Sequence, residues 1–193
     1  MPLLATVTLP NAFLYYDEWS VINAGELANH PNLIPRTPTA NVFNVNDLSA
    51  LSSTVTEIIV ENRCCRDPSF TVLDLTRFTN VRRIVIGDEA FMYVKEVKLI
   101  GLSKLESVEI GVNSFTKNER GDGYDPNGQF YLKNCPKLKS LKMGRYSFSD
   151  YTVIEIENVD ALEVIQIGSW NAYSYNFWCA STLELKSILI HSE

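Results

Sequence analysis

The chain has 193 residues, of which 46% are hydrophobic and 21% charged, with a formal net charge of −6; these are ordinary values for a globular domain. Seventeen basic residues against 23 acidic ones disfavour non-specific nucleic-acid binding, which works through Lys and Arg on phosphates, and equally disfavour adsorption to an anionic membrane. No apolar run is long enough for a membrane-spanning helix, which takes about 18 residues or more.

Residues 1–52 come first and follow no repeat. Met1 to Val7 has neither a basic leader nor a long apolar stretch, so it does not read as a secretory signal. Leu3 to Leu9 reads as a strand ended by Pro10, and Asp17 is placed to cap a short helix through Trp19, Ile22 and Leu27. Pro31, Pro35 and Pro38 then mark an irregular linker. Phe43-x-Val45 with Leu48 imitates the second half of the units that follow. The segment is expected to be a flank or degenerate cap over the first apolar edge.

From residue 53 the chain rhymes with itself. Val81-x-x-Ile84-x-Ile86-Gly87 returns as Leu105-x-x-Val108-x-Ile110-Gly111, Leu138-x-x-Leu141-x-Met143-Gly144 and Leu162-x-x-Ile165-x-Ile167-Gly168. Anchors at Val55, Val81, Leu105, Leu138, Leu162 and Leu185 are separated by 26, 24, 33, 24 and 23 residues. An aromatic follows the glycine at Phe91, Phe115 and Phe148, with Tyr173 one position late; the first unit has Glu61 and Cys65 in these two slots. A second apolar pair reads Leu73/Leu75, Val97/Leu99, Phe130/Leu132, Ile154/Ile156 and Phe177/Cys179, and another apolar residue follows at Phe78, Leu102, Cys135 and Val159.

Each unit therefore holds two short runs of period-two alternation, which puts one side of a strand inward and the other outward. The inward set is β-branched or Leu, as strands prefer, and the glycine suits a positive φ or a close backbone approach. Repetition at this period predicts a β-rich solenoid: stacked coils with short parallel strands and few or no long helices. The units begin near 53, 79, 103, 136, 160 and 183, and residues 53–193 form this body. The last unit is barely begun at Ile190, so further units are expected beyond Glu193. A charge at Ile165 is expected to enter the shared interior.

The unit beginning at Leu105 is longer by nine residues. The excess lies in the loop 116–129, rich in Gly, Asn and Asp and hence exposed. Insertions in repeats commonly emerge on the binding face. Arg120, Asp122 and Tyr124 are its candidate contact residues, and Arg120-Gly121-Asp122 spells the tripeptide by which integrin ligands are read. The fragment from Gly123 to Gly128 loosely matches a calcium loop but lacks the closing Glu, with Asn134 at that distance; a plain turn is expected and no metal site is assigned.

Outward positions form rows. The second strands present Asp74, Lys98, Tyr131, Glu155 and Trp178, and the first strands Ile59, Val85, Glu109, Lys142, Gln166 and Leu189. The former row mixes charge with two aromatics, the composition of a protein-recognition patch. Trp170 and Tyr173 are placed to extend it.

Chemistry is sparse. The two histidines, His30 and His191, lie at opposite ends of the sequence, and no phosphate-binding loop, zinc-protease motif or nucleophile elbow occurs. Cys65, Cys135 and Cys179 fall in core slots and Cys64 has no assigned place; the four read as buried structural thiols. No enzyme activity and no cofactor is expected. The absence of any Asn-x-Ser/Thr acceptor slightly favours a cytoplasmic chain, unless it is a fragment.

The Leu-x-x-Ile-x-Ile core, the pairs Ala90-Phe91, Ser114-Phe115 and Ser147-Phe148, and the junction Cys135-Pro136-Lys137-Leu138 resemble leucine-rich repeats of the BspA-like type. Asn134 and Asn158 sit where such repeats place an Asn that bonds the turn backbone. The resemblance covers about 53–193. It implies a repeat scaffold for protein binding or, as the alternative, a cell-surface adhesion or receptor ectodomain that takes a host protein or glycan. The reading from the residues is a non-catalytic protein-interaction module presenting its strand face and long loop to a partner, with no nucleic-acid binding and no membrane insertion.

Overall fold

The computed structural model describes residues 39–117, 127–169 and 173–186. Eleven strands and one short helix occur there. The strands are β1 (Thr39–Val42), β2 (Glu57–Val60), β3 (Val72–Asp74), β4 (Arg83–Ile86), β5 (Glu96–Ile100), β6 (Ser107–Ile110), β7 (Gln129–Lys133), β8 (Ser140–Met143), β9 (Val153–Glu157), β10 (Val164–Ile167) and β11 (Thr182–Lys186), and α1 spans Val45–Ala50. They form two sheets, ordered β1-β2-β4-β6-β8-β10 and β11-β9-β7-β5-β3. Every pairing is parallel. From β2 onward, each circuit of the chain adds one strand to each sheet. Among the described residues no helix is long and apolar enough to cross a membrane.

Register puts like on like. Ile58, Ile84, Val108, Leu141 and Ile165 are successive partners in the first sheet, as are Val60, Ile86, Ile110, Met143 and Ile167. Leu73, Val97, Phe130, Ile154 and Leu183 are successive partners in the second. These inward side chains are buried through β9. Parallel sheets are normally covered by helices on both faces. Here only the inner faces are dry, and the outer ones carry Arg, Lys, Glu and Ser.

The corner after each first-sheet strand is the most constrained part of the chain. Gly87, Gly111 and Gly144 stack there, and none lies in the left-handed region. They are required by closeness: a Cβ on Gly111 would sit 2.6 Å from the carbonyl carbon of Gly87, and one on Gly144 would sit 2.5 Å from that of Gly111. Two residues per corner do take left-handed backbone: Arg63 and Cys65, Glu89 and Phe91, Asn113 and Phe115, Tyr146 and Phe148, Tyr175 and Phe177. Such conformations cost on the order of 1–3 kcal/mol each outside glycine. Neighbouring circuits hold them in place. Arg63 donates its amide to Asp88 O, Glu89 to Val112 O, Asn113 to Arg145 O and Tyr146 to Ser174 O, at 2.6–2.9 Å. The phenyl rings stack into a column, buried at Phe91, Phe115 and Phe148 and half-buried at Phe177, with centroids 5.2 Å apart for Phe91–Phe115, 4.6 Å for Phe115–Phe148 and 5.8 Å for Phe148–Phe177. Between them, buried Ser114 and Ser147 donate to Gly87 O at 2.7 Å and Gly111 O at 2.6 Å.

Several expectations change. The corner aromatic of the last circuit is Phe177, not Tyr173, because seven residues separate Ile167 from left-handed Tyr175 where two separate Met143 from Tyr146. The second strand of that circuit is therefore β11, with Leu183 and Leu185 inward, not Phe177/Cys179. Leu185 accordingly belongs to the second sheet and does not start a new unit. Upstream, Thr39–Val42 joins the first sheet, while Val45 and Leu48 belong to α1. Asn44 caps that helix in a capping box with Asp47, and Arg77 donates to Leu48 O and Ser49 O at its far end at 3.0 and 3.1 Å. Ile165 is 47% exposed, not interior; among the described residues β10 ends its sheet.

Candidate interaction surfaces

The outer face of the second sheet is ordered by register into three rows. Its central row reads Asp74, Lys98, Tyr131, Glu155 and Glu184. Four of the five expected residues are thus side by side. Trp178 is not among them; it lies in a turn after Phe177, and Glu184 takes the place assigned to it. Outside the unit with the long loop, a constant six-residue step from corner Phe to the next inward strand residue (Phe91 to Val97, Phe148 to Ile154, Phe177 to Leu183) is the sequence signal that would have found Glu184. Flanking rows carry Glu96, Gln129, Val153 and Thr182 on one side and Ile100, Lys133, Glu157 and Lys186 on the other.

These side chains answer one another. Lys98 pairs with Glu96 at 3.0 Å, Lys133 bridges Glu155 and Glu157, and Lys186 meets Glu184 at 2.5 Å. The Lys133 ammonium also sits 5.3 Å from the Tyr131 ring centre, and the Tyr131 hydroxyl donates to Gln129 Oε1 at 2.9 Å. Hydrogen bonds to Glu96 and Glu155 push Lys98 and Lys133, respectively, above the ordinary lysine range. The Thr76 hydroxyl and amide hold the Asp74 carboxyl below its usual value. Burial, then the charge of Glu155, raises the Tyr131 phenol. Pairs this exposed contribute little stability, about 0–1 kcal/mol each. Their effect is to fix long side chains in one arrangement, which lowers the ordering cost of a contact.

On the first sheet the outward row Ile59, Val85, Glu109, Lys142 and Gln166 is in register as expected; Leu189 lies outside the described residues. Beside it, Arg83 bonds Glu57 and lies 4.0 Å from Glu109. The Arg83 guanidinium, and next the Thr39 hydroxyl, hold Glu57 below the usual carboxylate range.

A second surface is built by the corners. The outer left-handed positions form a column: Arg63, Glu89, Asn113, Tyr146, Tyr175. Its first pair is ionic, Arg63 meeting Glu89 through two hydrogen bonds of 3.0 and 3.2 Å. Its last pair is aromatic, Tyr146 and Tyr175 stacking at 5.6 Å with 13° between their planes. Tyr173 lies 6.0 Å from Tyr175, Trp178 meets the same ring edge-on at 5.1 Å, and the Arg145 guanidinium lies 5.5 Å from the centre of Tyr146. Tyr173 is 81% exposed and Trp178 64%. Trp178 thus serves a different patch from the one expected of it, and Tyr173 joins it there. Trp170 lies outside the described residues.

Arg120, Asp122 and Tyr124 of the loop also lie outside the described residues. The loop's root is a buried polar knot: Asp150 accepts from the Thr116 hydroxyl at 2.8 Å, the Lys117 amide at 3.0 Å and the Ser149 hydroxyl at 3.2 Å. Asn134 and Asn158 occupy left-handed turns, and Asn158 Nδ2 donates to Asn134 Oδ1 at 2.8 Å rather than to the turn backbone.

Cys64 and Cys65 are both buried, so Cys64 also has a core place, and their sulfurs lie 2.7 Å apart. Burial pushes both thiols upward and Cys135 to about 11, which leaves them protonated and poorly nucleophilic near neutral pH. Cys179 is only half-buried, in the turn with Trp178. Among the described residues no group of three His, Cys, Asp or Glu side chains could hold a metal ion. His30 and His191 lie outside those residues. In comparisons with protein-family models, curated proteins and solved structures, nothing matches this chain.

Proposed function

We propose that residues 39–186 are a solenoid of stacked coils, similar to BspA-like leucine-rich repeats, and that the chain is a non-catalytic protein-interaction module. The binding face is the outer surface of the second sheet, centred on Lys98, Tyr131 and Glu155, and the 116–129 loop is a further candidate contact. The observation that carries this reading is the register: five strands bring Asp74, Lys98, Tyr131, Glu155 and Glu184 into one row. The surrounding ion pairs pre-order that row. A preformed, mixed-charge face with a central aromatic suits equilibrium recognition of a protein surface. Acidic groups outnumber basic ones across its rows, so the partner's face carries a basic excess.

The test is affinity capture followed by identification of the bound protein and measurement of its Kd. Glu155→Lys combined with Tyr131→Ala should weaken binding at least tenfold, while Lys142→Ala on the opposite sheet leaves it unchanged. An unaltered Kd for the double variant, with its thermal melt intact, would reject this face.

A further inference from the structure

The corner patch formed by Tyr146, Tyr173, Tyr175 and Trp178 is separate from the strand face, and its chemistry points to a narrower ligand. Three phenols and an indole touch one another, and two of the four rings are largely exposed. Exposed rings in contact offer a broad apolar surface at small entropic cost, since each side chain has few rotatable bonds.

The hydrogen-bonding character of the patch leans toward donation. The Trp178 indole and the Arg145 guanidinium can only donate, while the three tyrosine hydroxyls each donate or accept. The nearby amide and hydroxyl are turned away: Asn176 spends Nδ2 on Gly144 O and Ser147 O at 2.7 and 3.1 Å, its Oδ1 is buried, and Ser174 exchanges hydrogen bonds with Ser169. No carboxylate occurs in 144–148 or 173–178, although the chain as a whole is acidic.

A donor-rich aromatic surface is matched by a ligand that is apolar and only accepts. Proline residues have carbonyl oxygens but no N–H. In the polyproline II helix those carbonyls bond nothing within the chain and point outward between pyrrolidine rings. Aromatic-lined surfaces take such segments because the ligand is already ordered before it binds. We infer that this corner binds a proline-rich segment in the polyproline II conformation. Saccharides bring as many donors as acceptors, and fewer of those donors find a partner on a surface where two of the five polar groups can only donate.

The experiment is calorimetric and NMR titration of the full chain with an acetylated, amidated octaproline peptide. A Gly-Ser octamer and a β-glucan hexasaccharide serve as comparison ligands. Saturable one-to-one binding of octaproline alone is expected. Trp178→Ala and Tyr173→Ala should each weaken it at least tenfold. Both side chains are exposed, so these variants keep the wild-type melt. Tyr131→Ala on the strand face should leave the peptide Kd unchanged, so this inference and the proposed strand-face function fail separately. No chemical-shift change at millimolar octaproline would overturn the inference. So would equal binding of the Gly-Ser octamer, tighter binding of the hexasaccharide, or variants that bind octaproline as well as wild type.

Discussion

Glycine at 111 illustrates how a single atom sets the pitch of the stack. Its α-hydrogen faces the backbone of the preceding circuit, and any side chain there would overlap Asp88 and Gly87 at 2.4–2.6 Å. The contact at 2.4 Å is the Asp88 carboxylate, but the two at 2.6 Å are main chain, which cannot swing aside. Gly111→Ala is therefore expected to destabilise the fold by about 1–3 kcal/mol, read as a lower urea midpoint with an unchanged slope. Gly101 provides the contrast. It has left-handed backbone but nothing within 4 Å of a built Cβ, so Gly101→Ala should cost only the conformational strain, roughly 1–2 kcal/mol. The phenylalanines at 91, 115 and 148 show the reverse bargain: each accepts an unfavourable φ and in return buries a whole ring against its neighbours. Nothing in residue type forecasts a left-handed Phe. The motif Ala/Ser-Phe was visible in the sequence, but the backbone conformation that makes it a corner was not.

Strands were legible where alternation was clean and both neighbours existed. Ile84, Val108 and Leu141 repeat at nearly the same offset from a glycine, and the structure puts them in register. Legibility failed at the ends. At 39–50 the alternation is too short to separate a first strand from a second, and the capping pair Asn44/Asp47 turns the next residues into a helix. At 168–174 five additional residues displaced every later assignment, sending Trp178 to a corner and Leu185 into the second sheet. Burial follows the same logic of neighbours. Ile84 has a strand on either side and is fully buried, whereas Ile165 is on β10, which ends its sheet among the described residues. Ile84→Asp is expected to abolish the cooperative melt, since it strands an unpaired charge in the interior. Ile165→Asp should fold and lose less than about 1.5 kcal/mol. Equal damage from both would mean that β10 is covered as closely as β4.

Taken whole, the outer faces carry the charge and decide how the molecule responds to pH. Glu57 and Asp74 are held below their unfolded values by Arg83 and Thr76. Their contribution is present above the unfolded carboxylate range of about 3.9–4.3. It fades as pH falls through the lower folded values. Lys98 and Lys133 are raised, so their contribution is present below about 10.4 and fades as pH rises through the folded values. The urea midpoint should therefore be flat near neutrality and decline on both sides. Glu57→Gln with Asp74→Asn should make the acid decline shallower, and an unchanged acid limb would assign it to other carboxylates. All of these groups are at the surface, so the effects are modest and shrink with added salt.

The phenyl column has an implication for how such a chain can vary. Phe115 and Phe130 are separated by a nine-residue insertion, and Ile167 and Tyr175 by a five-residue one, yet the rings on either side remain aligned and the next strand arrives in phase. Length is thus absorbed at two hinges per lap, just before the left-handed pair and just after it, without propagating into the sheets. Those hinges are where foreign loops could be grafted, and where a lineage of related chains would be free to diversify while the interior stayed constant.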